Sequence, residues 1–177
     1  FYAGKVEAVD LIQVLDYLQY HQLCGTNIGV LGYSFGADLA LYWAARDPRV
    51  KSVVSIAAYN HPEAAVPRFA KEMHIPISEP VINQALVLVA DQLGIPWSVL
   101  SAEAAVPKIT APILFIGATG DTISPPADLV ALKKAAAPGC RALMVDGLKH
   151  EMIGYDFAHL AQPVRQWFEQ TLTVAAP

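Results

Sequence analysis

The sequence predicts an α/β fold, a predominantly parallel sheet flanked by helices with a helical cap inserted in it. Three observations predict it. Four short apolar runs alternate with helix-patterned segments. The runs are nearly continuous in apolar character, as in strands covered on both faces. One proline-rich stretch, residues 59–110, interrupts the alternation and is too long for a simple connection. At about 150 residues per domain, a chain of 177 residues predicts one domain with a subdomain inserted. Residues 1–58 and 111–177 form the expected core and residues 59–110 the expected cap.

Along the chain, residues 6–20 set Ala8, Leu11, Val14, Leu15 and Leu18 at helical spacing. Residues 27–32, NIGVLG, read as a buried strand closed by a glycine. From Phe35, Ala37, Ala40, Leu41 and Ala44 share a helical face, and the pattern stops at Asp47-Pro48 because proline turns its predecessor away from helix. Residues 50–58, 112–118 and 141–145 are the second, third and fourth strands. Between the last two, Ser124 is expected to cap a helix opened by Pro125, with Asp128 in the first turn and Leu129 and Leu132 facing inward. The final helix, residues 156–172, carries Phe157, Leu160, Val164, Trp167 and Phe168 as its apolar face.

In the cap, prolines 62, 67, 76, 80, 96 and 107 are expected to chop the chain into short segments. The best helix there spans residues 79–93, started by Ser78 and stopped by Gly94. Val81, Ile82, Ala85, Leu86 and Val89 form its stripe, with Val87 and Leu88 beside it. This apolar surface is expected to pack against the main domain, and Met73, Met144 and Met152 to fill core space. A share in an acyl pocket is the alternative role of the cap surface.

Apolar residues make up 54% of the chain and charged residues 16%, which excludes global disorder. Twelve basic residues against sixteen acidic ones, with no basic cluster, lack the electrostatic footprint of a nucleic-acid binder. No apolar run approaches the roughly 18 to 20 residues that cross a bilayer as a helix, so a soluble chain is expected. Cys24 and Cys140 show neither CxxC nor metal-ligand spacing, and free thiols in a reducing, cytoplasmic compartment are expected. The strand order sets them roughly 14 Å apart, beyond disulfide reach. The chain starts at Phe1 without a recognisable leader, so its true start is expected to lie upstream.

The chemistry is announced by Gly32-Tyr33-Ser34-Phe35-Gly36, which joins a strand to a helix with no loop between them. At such a junction GxSxG is a nucleophile elbow. The serine takes a strained conformation on a sharp turn, and Gly32 and Gly36 are expected to avoid collisions across it. Its hydroxyl then stands above the strand ends, and the Phe35 N–H becomes an oxyanion donor. A serine hydroxyl needs a base within reach and a third group to hold that base in the right tautomer. Of five histidines, His150 alone combines the order Ser, acid, His with a place after the fourth strand; His21, His61, His74 and His159 lack one or the other. Asp121, after the third strand in GATGDTISPP, is the expected acid, ahead of Asp128 and Asp146.

Together, GYSFG after NIGVL, GATGDTISPP after PILFI and a histidine after the last strand resemble the serine hydrolases of the α/β-hydrolase fold. The resemblance covers most of the chain outside residues 59–110 and implies Ser34 as nucleophile, Asp121 as acid and His150 as base. GYSFG followed by DPRVKSVVSIAA is similar to the dienelactone hydrolase and prolyl-oligopeptidase-like branches. Dienelactone hydrolases usually carry cysteine where this chain has Ser34, so their substrate is not transferred. The reading is a cofactor-independent carboxylic ester hydrolase acting on a small-molecule acyl substrate. Thioester and peptide substrates, or a noncatalytic hydrolase-fold binding module, are the alternatives.

In that family the sheet is larger, and a second oxyanion donor comes from a loop after an earlier strand. The four strands here resemble the last four, so the chain is expected to lack the family's N-terminal half. The strand at residues 27–32 would then expose an edge. Losing one oxyanion donor typically costs about a hundred- to a thousandfold in rate, and weak activity of this chain alone is expected.

Overall fold

The computed structural model describes residue 4 and residues 6–172; the outermost residues of the expected core, 1–3, 5 and 173–177, lie outside that description. Four strands, β1 (Ile28–Tyr33), β2 (Val50–Ile56), β3 (Ile113–Ala118) and β4 (Arg141–Val145), form one sheet in the order β1-β2-β3-β4. Every pair is parallel, with Val30 opposite Val53, Val54 opposite Leu114 and Ile116 opposite Leu143. Parallel neighbours need crossovers, and helices supply them.

Those helices explain the continuous apolar runs. On one face, Val30, Val53, Ile113 and Phe115 pack with Ala37 and Leu41 of α2 (Phe35–Ala44) and Leu129 and Leu132 of α6 (Pro126–Ala135). On the other, Val54, Ile56, Leu114 and Ile116 pack with Ile153 of α7 (His150–Ile153) and Leu160 and Trp167 of α8 (Phe157–Thr171). Alternate residues of β2 and β3 thus belong to different cores, and both sets must be apolar. Trp167 Nε1 donates to the Val53 carbonyl at 3.0 Å, which fixes α8 across the sheet. An outer helix, α1 (Glu7–Tyr20), lays Ala8 against Tyr42 of α2. Arg49, after α2, donates to Asp16 and Gln19 of α1 and to Asp47.

Between β2 and β3 run α3 (Pro62–Glu72), α4 (Glu79–Leu93), α5 (Ala102–Ala105) and two short 3-10 turns, Trp97–Val99 and Val106–Lys108. Pro62, Pro80, Pro96 and Pro107 stand at the starts of separate segments as the sequence predicts, but Pro67 does not break its helix. Pro62 occupies the first helical position of α3, where its missing N–H costs nothing, and Pro67 is accommodated inside the helix. Buried Ala65 and Ala70 hold that helix in place. The bounds of α4 are those expected, but its stripe is not packed on the main domain: only Ile82 is buried, while Val81, Val87 and Leu88 are 55%, 60% and 60% exposed. Helical periodicity places apolar residues on one face without saying what covers that face.

Three further expectations are corrected. Ser124 is not the cap of α6; its hydroxyl donates to the Ala58 carbonyl and Pro125 takes the cap position. Phe157 is 71% exposed, because at the first residue of a helix the side chain leans N-terminally, past the turn that would carry it to the sheet. Met73, Met144 and Met152 are exposed rather than core-filling. Cys24 and Cys140 are both free. Among the described residues, no helix is long and apolar enough to cross a membrane.

Candidate active site

Only Ser34 separates β1 from α2, and it has φ +54° and ψ −126°. Such a conformation costs an L-residue about 1–3 kcal/mol and persists when its surroundings enforce it. Here the Ser34 N–H donates to the Ile56 carbonyl at 2.8 Å, and the Ser34 carbonyl accepts from Ala37 N–H at 2.8 Å. The turn is so tight that a Cβ at position 32 would stand 2.0 Å from the Gly36 carbonyl oxygen. Gly32 is therefore obligatory. The expectation for Gly36 does not hold in the same way: a Cβ there meets nothing within 4 Å.

The Ser34 Oγ lies 2.7 Å from His150 Nε2, and His150 Nδ1 lies 2.8 Å from Asp121 Oδ2. His150 is 6% exposed and Asp121 2%. His150 opens α7 rather than lying in the loop before it. The second Asp121 oxygen accepts from the N–H groups of Ile123 at 2.9 Å and Ser124 at 2.7 Å, so both oxygens are satisfied. From the strand side, the Tyr33 hydroxyl donates to the His150 carbonyl. Burial, followed by the charge of Asp121, holds the Tyr33 hydroxyl above its ordinary pKa.

Two loops bring the acid and the imidazole together. A Cβ at position 120 would stand 2.8 Å from the Leu148 carbonyl oxygen, so glycine lets the loop after β3 touch the loop after β4. Thr119 staples the contact, donating to Asp146 at 2.8 Å and accepting from the Gly147 N–H at 2.7 Å. The rival candidates are occupied elsewhere. Asp146 serves Thr119, Asp128 pairs with Arg68, His61 with Glu103 and His159 with Asp156. Among the described residues, no group of three or more His, Cys, Asp or Glu side chains is placed to hold a metal.

In front of Ser34 lies a hollow of about 430 Å³ lined by Phe35, Tyr59, Ala65, Val66, Phe69 and Ile123. Three of these residues come from α3, so the segment between β2 and β3 supplies one wall. The sequence reading did not pick out Tyr59 or Asp38. Asp38 lies one turn into α2 and is fully buried; hydrogen bonding from Tyr59 opposes the effect of that burial, although neither carboxylate oxygen has a partner of full hydrogen-bond geometry. Burial pushes its pKa well above the carboxylate range, and the nearby charge of Asp128 adds to the effect. The signal for Asp38 was an acid on the apolar face of FGADLAL, one helical turn beyond the serine.

The sequence matches the family described as BAAT / Acyl-CoA thioester hydrolase C terminal over residues 12–135. That span contains Ser34 and Asp121 and ends before His150. Among solved structures, an esterase of Pyrococcus furiosus is similar with a TM-score of 0.75 and 17% identity, over 97% of this chain and 64% of its own. The esterase domain of a Rhodothermus marinus protein is similar at 0.67 and 20% identity, over 93% and 68%. An acylaminoacyl peptidase of Pyrococcus horikoshii gives 0.68 and 14% identity, over 95% and 28%. The chain thus spans less than two thirds of the length of the Pyrococcus furiosus esterase. These likenesses establish the α/β-hydrolase fold. No curated protein matches the sequence.

Proposed function

The chain belongs to the BAAT / acyl-CoA thioester hydrolase C-terminal family, and on that footing we propose that it is a serine hydrolase cleaving small carboxylic esters, with thioesters as the related substrate class. The observation that carries this reading is the continuous hydrogen-bonded line from the Ser34 hydroxyl through His150 to Asp121. In the reaction, His150 Nε2 takes the Ser34 proton as Oγ attacks the substrate carbonyl. Asp121 keeps the other ring nitrogen protonated and stabilises the imidazolium that forms. The developing oxyanion is held by the Phe35 N–H at the start of α2, where the helix dipole also favours negative charge. His150 then returns its proton to the leaving oxygen or sulfur, leaving an acyl-enzyme on Ser34. Water, deprotonated by the same imidazole, releases the acid.

An apolar hollow bounded by Val66 and Phe69 suits an uncharged acyl group better than a polar one. We read residues 59–110 as the cap that provides this wall. We place the chain near the dienelactone hydrolase-like branch from GYSFG and its following strand, and in the cytoplasm from its cysteine usage. No nucleic-acid partner is part of the reading.

The test is a fluorophosphonate probe, which reacts only with an activated serine. Labelling of the full-length protein is expected, with a loss of at least about a thousandfold in Ser34→Ala and in His150→Ala. A folded protein that takes up no probe would instead be an interaction module of the same fold.

A further inference from the structure

We infer that Glu72, at the end of α3, is a positioning residue that ties the acid loop to the histidine loop and so sets the alignment of Asp121 with His150. This rests on the hydrolase reading above and deepens it. Glu72 Oε2 accepts from the Thr122 hydroxyl at 2.8 Å, and Oε1 accepts from Lys149 Nζ at 3.2 Å. Thr122 directly follows Asp121, and Lys149 directly precedes His150. One carboxylate thus spans the two chain segments whose side chains must meet. Thr119 joins the same two loops further back, beside Asp146 and Gly147, so the pair of loops is pinned at both ends.

A second feature of α3 points the same way. One turn before Glu72, Arg68 donates to Asp128 at 2.8 Å and to the Ile123 carbonyl at 3.3 Å. Residues 68 and 72 therefore grip the acid loop, while Ala65, Val66 and Phe69 of the same helix line the hollow. The wall that meets the acyl group and the clamp that holds the acid and base are one rigid element. Nor is Glu72 placed for the helix's own benefit. As the last residue of α3 it stands where the helix dipole disfavours a negative charge. The hydrogen bond from Thr122 and the Lys149 ammonium hold its carboxyl below the usual carboxylate range.

Exposed pairs of this kind contribute little to global stability. Their effect is local, where misplacing a reacting group by about an ångström can cost up to a hundredfold. In the full-length protein, Glu72→Ala is expected to lower kcat on a short-acyl aryl ester by about three- to tenfold with KM unchanged. Fluorophosphonate labelling of Ser34 should slow in parallel. Glu72→Gln, which keeps an acceptor for Thr122, should recover most of the loss. Glu103→Gln weakens a different tie of the same segment, to His61, and should leave kcat unchanged. Wild-type kcat and labelling in Glu72→Ala would overturn the inference, as would a rise in KM alone or an equal loss in Glu103→Gln. Failure of the unsubstituted protein to take up the probe would overturn the hydrolase reading, and is observed before any Glu72 variant is compared.

Discussion

A carboxylic acid buried without a counter-ion, as Asp38 is, folds most easily in its neutral form. Its folded pKa is raised above the unfolded value of about 3.9, so folding takes up a proton. The associated stability is complete below that unfolded value and is lost as pH rises toward the folded pKa. Asn reproduces the neutral acid's shape without the proton demand. Asp38→Asn is therefore expected to match the wild type near pH 4 and to exceed its stability increasingly as pH rises, by about 1–3 kcal/mol at neutral pH, measured as denaturation midpoints at several pH values. A wild type that gains stability relative to Asp38→Asn between pH 5 and 8 would contradict this. At this scale the GxSxG serine, Asp121 and His150 were legible in the sequence, because each follows a strand in the order the chemistry needs. Asp38 was legible only as an odd letter in an apolar helix face. Its cost depends on neighbours such as Tyr59 and Asp128 that arrive from distant parts of the chain.

Among the elements, α3 and α4 divide the work between β2 and β3. The longer α4 was readable from its Ser78 and Gly94 boundaries, whereas α3, which lines the hollow, was concealed by Pro62 and Pro67. Proline signals describe a local cost, and packing of Ala65 and Ala70 outweighs it. The same lesson comes from α8, which runs through Pro163 while Leu160 and Trp167 stay buried. Because α3 brings Phe69 to the hollow, trimming that side chain should lengthen the space available to the acyl group. Phe69→Ala is expected to raise the kcat/KM ratio of octanoyl over butanoyl aryl esters by about tenfold, the scale of a few methylenes in an apolar pocket. Initial rates across an ester series of increasing chain length check it; an unchanged ratio would move the acyl site elsewhere.

Taken as a molecule, the sheet runs in chain order from β1 to β4, and among the described residues β1 pairs only with β2. The order was readable from alternating strands and helices. The two-sided covering was readable from the apolar runs of β2 and β3, and an exposed edge at residues 27–32 was expected, but the exposure of the Leu31 side chain was not, since NIGVLG looks as buried as its neighbours. With Leu31 51% exposed on an edge strand, the 177-residue chain on its own is expected to self-associate as concentration rises. Leu31→Lys should shift that association to at least about tenfold higher concentration, followed by sedimentation velocity, and an unchanged profile would place the contact elsewhere. On the face that Leu31 shares with Val54, the indole of Trp167 is fastened to β2, with the Arg141 guanidinium 5.6 Å from its ring. The last helix therefore carries its own fluorophore into the interior, and with Trp43 and Trp97 replaced by Phe, a red shift in indole emission marks the instant that helix lifts away.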